Sequence, residues 1–491
     1  MNRTFCETTA LSGALLLLGS LLAVVPVPAS AEGAPPAEAP KPTGFWERDT
    51  LTGDWGGLRS SLADAGFALG ATETGDMLAT ASGAVKQKAT AFGRLELDLD
   101  VDFEKAVGLH GGTLHASALQ LHGSGLNSPQ RLGSNTSFGG TSALEAPSGI
   151  EAVRGTRLFD AYYQQTLIGD KLSVRAGQIS LDDEFAVSSY GANFVNSTFG
   201  WPGMFAADLP SGGTAYPLAS PGARVKISPS DTLSWQTGVT ASNPAGKGNA
   251  LDLSNSASNT LPQRRNNDGT TFSTAGGTMV ITEFAYTVAA DKDHGVVPAS
   301  YKIGAWYNTG KFTDLEKDIR GNNLAVTGLT PRIHKGDYAL YGMVDQMLLH
   351  TKDTDDGGLS GFLRLFGTPQ SDRNLVTFQA DVGVNYKGLL PGRDNDIAGL
   401  AFGLDEIGGR QIAYDKDFRT ANRLPNAPIH DYESVIELTY QYVLSPWWTI
   451  QPNLQYILHP GGNMQNPAPG AVVGKTIDDA FIAGLRTAIK L

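Results

Sequence analysis

Cysteine is all but absent: the 491 residues contain one, Cys6. It lies before the N-terminal apolar run, not after it, so it is not placed for lipoprotein acylation. A chain matured beyond that run has no thiol, no disulfide and no cysteine metal site. Long apolar runs are missing too. After residue 31 no stretch reaches the roughly 18 apolar residues of a membrane helix, which excludes a helical membrane protein. Basic charge is in short supply, with Lys+Arg 37 against Asp+Glu 49 and a net charge of −12. That balance excludes a nucleic-acid partner, which would need a basic surface.

Catalytic motifs are also missing. There is no G-x-S-x-G elbow, no H-E-x-x-H and no P-loop. Asp182 and Asp183 are adjacent and diverge, so they do not form a carboxylate pair across a scissile bond. "DLDVDF" (98–103) opens like a calcium loop but has no glycine after its third Asp. "DTDDGG" (353–358) meets Arg364 where the closing Glu should stand. His115 and His122, seven apart, fall on opposite strand faces and share no metal. The expectation is a protein that is not an enzyme, with no catalytic residue, metal or cofactor.

What is present begins with Arg3, the apolar Leu11 to Val25 and the small-x-small Ala29-Ser30-Ala31. This predicts a cleaved signal peptide over 1–31 and export. "EGAPPAEAPKPTG" opens a Pro/Ala-rich linker assigned to 32–50. "LTGDWGGLRSSLADAG" follows, a short helical segment over 51–66 with Asp54 as its cap and Gly66 as its stop. Glycine is abundant, 59 residues, as an all-β chain with many turns requires.

From Phe67 to the end, alternation with period two dominates. In "FGRLELDLDVDF" (92–103) the leucines occupy one face and Arg94, Glu96, Asp98, Asp100 and Asp102 the other. "VIELTYQYVL" sets Ile436, Leu438 and Tyr440 against Glu433, Glu437 and Thr439. "VTFQADVGVNY" sets Val376, Phe378, Val382 and Val384 against Gln379, Asp381 and Asn385. A soluble sandwich would turn the apolar faces to a core; an outer-membrane barrel would turn them to lipid and the charged faces to water. Hydrophobic residues at 41% and a mean hydropathy of −0.15 fit either. The count reaches about sixteen strands over 67–491, a porin-like number. Carboxylates, amides and arginines at consecutive inner positions favour the barrel. An exported soluble β-sandwich that binds carbohydrate is the alternative.

Four ordered stretches carry a resemblance: "LTGDWGGLRSSLADAG", residues 174–225, "NYKGLLPGRDND" (385–396) and "ESVIELTYQYVLSPWWTIQPNLQYILHPGG" (433–462). Across nearly the whole mature chain, the sequence resembles the carbohydrate-selective porins of the OprB family. The resemblance implies an all-β transmembrane antiparallel β-barrel of sixteen strands with inward-folded loops. It also implies passive diffusion of small sugars, glucose-like monosaccharides first, across a Gram-negative outer membrane. Implied partners are small sugars, outer-membrane lipid and the barrel assembly machinery, with homo-oligomerisation left open. Barrels of this kind usually end in an aromatic; this chain ends in Leu491.

Sugars present hydroxyls in a ring and a weakly apolar C–H face, so a sugar path needs planar aromatics and bidentate polar groups. The 174–225 stretch supplies Arg175, Gln178, Asp182, Glu184, Phe185, Asn196, Trp201 and Arg224. Arg94, Glu96, Asp98, Glu433 and Glu437 join them as lumen-wall candidates by alternation. Each aromatic taken singly is more readily explained by packing of the loop against the wall.

Overall fold

The computed structural model describes residues 44–126, 141–246, 262–274, 276–291, 295–351 and 356–491. The expected signal peptide, residues 32–43 of the expected linker and residues 353–355 of "DTDDGG" lie outside them. Sixteen strands form one sheet. They are β1 (Phe67–Ala84), β2 (Ala89–Asp102), β3 (Gly112–Gly123), β4 (Gly155–Leu167), β5 (Leu172–Ile179), β6 (Ser220–Ile227), β7 (Leu233–Ala241) and β8 (Thr278–Val288). After these come β9 (Ala299–Asp318), β10 (Pro331–His350), β11 (Gly358–Gly367), β12 (Val376–Lys387), β13 (Ile397–Ile407), β14 (Tyr432–Ser445), β15 (Trp448–Leu458) and β16 (Asp478–Lys490). Each pairs antiparallel with its neighbours in sequence, and β1 pairs with β16 (Met77 opposite Leu485), so the sheet closes into a barrel. Closure removes the edges that an open sheet would expose.

The alternation maps onto inside and outside as the barrel reading requires. Leu97, on the outward face, is 48% exposed, whereas Arg94, Glu96 and Asp98 point inward. One end of the barrel has short turns and holds the start of β1 and the finish of β16. The other end has the long connections 124–154, 180–219, 242–277, 408–431 and 459–477. At the turn end, Phe45 and Trp46 pack on Trp447, with ring centroids 5.2 and 5.8 Å apart. Packed structure thus begins inside the stretch expected to be linker. Arg59 donates to the carbonyl of Leu491 at 3.0 Å, tying the helical segment to the last strand.

Two local expectations need correction. The N-terminal segment, expected as one helical stretch over 51–66, is a 3-10 turn (Trp55–Gly57) followed by a helix (Leu58–Asp64). A longer helix spans Gly409–Ala421. Its charges, Arg410, Asp415, Lys416, Asp417 and Arg419, spread around it and leave no apolar stripe for a pattern search to detect. Val376 does not share the lipid face of Phe378. The pairing shifts register between the two, and the extra residue turns Val376 into the interior, fully buried.

Candidate functional site

Two loop-end segments fold into the bore: 141–154, ahead of β4, and 180–219, which joins β5 to β6. Both spring from the β3–β6 side and bond to the opposite wall. Chain entering a barrel this way presents peptide N–H groups that must find acceptors. The β8–β15 wall supplies them as carboxylates. Glu433 accepts from the N–H groups of Leu144 (2.8 Å), Glu145 (3.0 Å) and Gly461 (2.6 Å). Glu437 accepts from Val195 (2.7 Å) and Asn196 (2.8 Å). Glu283 takes the N–H of Ala186 at 2.9 Å, and Asp345 takes the Ser189 N–H at 2.9 Å. Bonds to ionised acceptors are about twice as strong as neutral ones, which suits a clamp on a loop with little regular structure.

Arg364 completes the clamp from the other polarity. It is fully buried, pairs with Asp381 at 2.6 Å and donates to the loop carbonyls of Thr198 and Gly200. Beneath these polar bonds lie apolar contacts. Phe185, Met204, Phe205 and Leu209 of the loop pack on Met279, Ile281, Trp306, Tyr341 and Phe366 of the wall. Phe194 and Phe199 pack on Phe362. Between Phe185 and Leu209 the loop is therefore held against β8–β15, and the bore is narrowed toward β2–β6.

On that remaining side the inner wall keeps accessible charge. Arg94 and Glu96 form a 3.0 Å pair, each about a quarter exposed. The Arg175 guanidinium stands 3.9 Å over the ring of Tyr162 and 3.6 Å from Glu184. His115 bonds Asp100 at 2.8 Å and stacks on Tyr162. Arg224 lies behind this surface, buried, held in a fork by Glu184 at 2.7 Å for both bonds.

The sequence-selected residues therefore separate. Arg94, Glu96, Asp98, Arg175, Glu184 and Trp201 keep accessible surface. Glu433, Glu437, Arg224, Phe185 and Asn196 are on the inner side but buried, because the inward loops cover or contain them. Asp182 spends one oxygen on the N–H of Tyr216, at 2.8 Å, inside the loop. Gln178 is a correction. It shares the face of Val174 and Ala176, opposite to Arg175, and its amide donates to the carbonyls of Phe159 (2.8 Å) and Gly269 (2.9 Å). Tyr162, Arg364 and Asp381 were not singled out for these roles. Arg364 had a readable signal, a lone charge within the apolar run "FLRLFG". Tyr162 had one too, alternating with Asp160 and Gln164 on the inner face.

The seat of the loop also crowds acids together. Gly203 has no side chain, and a Cβ there would lie 1.8 Å from Glu145 Oε1 and 2.8 Å from Asp405 Oδ2. Burial pushes the Glu145 carboxyl up to about 8, helped by the charges of Glu433 and Asp381 and opposed by Ser197 and Arg364. Burial likewise raises Asp182 to about 7, with Asp183 adding to it.

Residues 86–491 match the family described as carbohydrate-selective porin, OprB family. The chain belongs to that family. It is a carbohydrate-selective porin of the outer membrane, and its family and fold are those of channels rather than enzymes. It is 24% identical to Porin B of Pseudomonas aeruginosa over 475 residues, 92% of each chain. It is 25% identical to the putative porin QuiX of Acinetobacter baylyi over 460 residues, 90% of this porin and 93% of that one. Among solved structures, that of Pseudomonas putida OprB at high pH superposes with a TM-score of 0.77 at 22% identity, over 91% of this chain and all of that one. The last likeness concerns the fold.

Proposed function

We propose that the carbohydrates this porin passes are small and neutral, of glucose-like monosaccharide size, and that they slide along the inner surface of β2–β6. The observation that carries this is the Arg175 guanidinium standing 3.9 Å over the ring of Tyr162, beside Glu184. An aromatic face meets the C–H side of a pyranose, and a guanidinium fork with a carboxylate beside it matches adjacent hydroxyls. Arg94, Glu96 and Asp98 continue the polar track, while the buried Glu433, Glu437, Arg224 and Asn196 hold its shape. Release of residues 1–31 on export and insertion by the barrel assembly machinery complete the proposal.

Liposome swelling and planar-bilayer current with a size series of sugars test it. Glucose is expected to permeate and to block ion current, and tri- and tetrasaccharides to enter much more slowly. Equal rates across the series, or no block by any sugar, would sink the reading.

A further inference from the structure

The outward face of β9 and β10 records the level of the membrane along its length. Near the turn end Tyr301 stacks on Tyr286 of β8, with ring centroids 6.3 Å apart. Ile303 and Ala305 follow on the same face, and then Tyr307 stands opposite Tyr338, both exposed. Such rings sit at the two water interfaces of a bilayer, with hydrocarbon between them. The long connections mark the upper of these interfaces as the outer one. Here the hairpin leaves its neighbours behind. β8 pairs with β9 no further than Asn308, and β11 with β10 no further than Leu340, yet the β9–β10 ladder runs on to Asp318 and Pro331.

On this projecting part the chain sets two lysines against each other. Lys311 and Lys335 are direct cross-strand partners, both exposed, and alternation along β9 puts them on the outward face of Tyr307. They stand about 13 Å further along the strand than the tyrosines, at about 3.3 Å per residue. Like charges directly opposite each other destabilise a ladder. Among the described residues neither ammonium has a hydrogen bond or an ion pair.

The hairpin has carboxylates of its own but turns them to the other face. Asp314 bonds His334 at 2.8 Å, and Glu316 pairs with Lys317 and with Arg410 of the Gly409–Ala421 helix, both at 2.6 Å. Asp318 accepts the N–H groups of Arg320 (2.8 Å) and Asn322 (2.9 Å). The outward strip is thus left cationic in a chain of net charge −12. Arg320 and Arg332 are exposed at its tip.

A phosphate placed between two ammonium groups bonds both and removes their repulsion. An anionic leaflet attracts basic residues close to its surface. We propose that Lys311 and Lys335 bind the phosphorylated headgroup of a glycolipid in the outer leaflet. Its acyl chains then lie along Tyr307, Tyr338, Leu340 and Ile303 below. The site is on the outside of the wall and separate from the sugar path.

The test is the unfolding temperature of the full chain in detergent, titrated with lipid A, with lipid A stripped of its phosphates, and with inorganic phosphate. Lipid A is expected to raise it, and the other two to leave it unchanged. Lys311→Ala combined with Lys335→Ala should weaken the lipid A effect roughly tenfold or more, with heat-modifiable mobility and conductance retained. Arginine at both positions should preserve it. Lys86→Ala combined with Lys416→Ala removes the same charge elsewhere at the loop end and should change nothing. Equal stabilisation by the stripped lipid would assign the effect to acyl chains, and equal stabilisation by inorganic phosphate to a free anion. Either result, an unchanged response in the Lys311/Lys335 variant, or an equal loss in the Lys86/Lys416 variant would overturn the proposal.

Discussion

The inner wall of this barrel is made twice over from the same materials, with opposite outcomes. Along β8–β15, inward carboxylates and one arginine are buried and spend their hydrogen bonds on an inserted loop. Along β2–β6, Arg94, Glu96, Asp98 and Arg175 on the same side of the sheet keep water contact, while Arg224 among them is buried. Glu437 and Glu96 are alike in chemistry and in position on an alternating strand. One clamps two peptide N–H groups and the other lines a path. What separates them is the loop, which leaves the β3–β6 side and crosses the bore.

The comparison breaks most sharply at Arg364. Arg364→Ala strands Asp381 in a buried site and frees the carbonyls of Thr198 and Gly200. Removing one partner of a buried pair costs about 3–5 kcal/mol. The expected outcome is an inserted barrel whose loop has come away from the wall, with raised single-channel conductance and lost discrimination among sugars. Unchanged conductance would mean the apolar contacts seat the loop alone.

A smaller effect is expected on the open side. Arg175→Ala removes a donor fork from the path without touching the clamp, and a hydrogen bond to a charged group contributes about 1.5–3 kcal/mol. Sugar block should fall by roughly tenfold and ion selectivity shift toward cations, while heat-modifiable mobility stays normal. A folding defect instead would assign Arg175 to the scaffold, together with Arg224.

The smallest effect is a pH dependence at the seat of the loop. Glu145 has an ordinary value of 4.5 and is raised to about 8 in the folded protein. A raised carboxyl favours the protonated form when folded. Its contribution to seating the loop is therefore complete below about 4.5 and is lost as pH rises through about 8. The barrel's unfolding temperature in detergent should decline over that window, and Glu145→Gln should flatten the decline. An identical slope in the variant would move the effect to other buried acids.

Much of this architecture was readable in advance. Alternation located most strands to within a few residues, because lipid on one side and water on the other impose a strict period of two. It also placed Arg94, Glu96, Glu433 and Glu437 on the inner side. It failed at Val376, where a register shift adds a residue without leaving a mark in composition. Gln178 was missed for the opposite reason, having been selected by residue type against the parity that puts it on the face of Val174 and Ala176. The Gly409–Ala421 helix escaped because a helix polar on every face has no period to show.

The amino-acid sequence by itself determined which side of each strand meets water, since the hydrophobic effect acts on each residue where it stands. It determined the barrel class and, through its motifs, the family. Only the tertiary structure decided which inner charges a solute can reach. That depends on where an inserted loop lies, and its position is set by bonds between residues far apart in the chain, such as Glu437 to Val195 and Arg364 to Gly200. No local pattern encodes such a pairing, because each partner alone reads as an ordinary wall charge or an ordinary loop peptide.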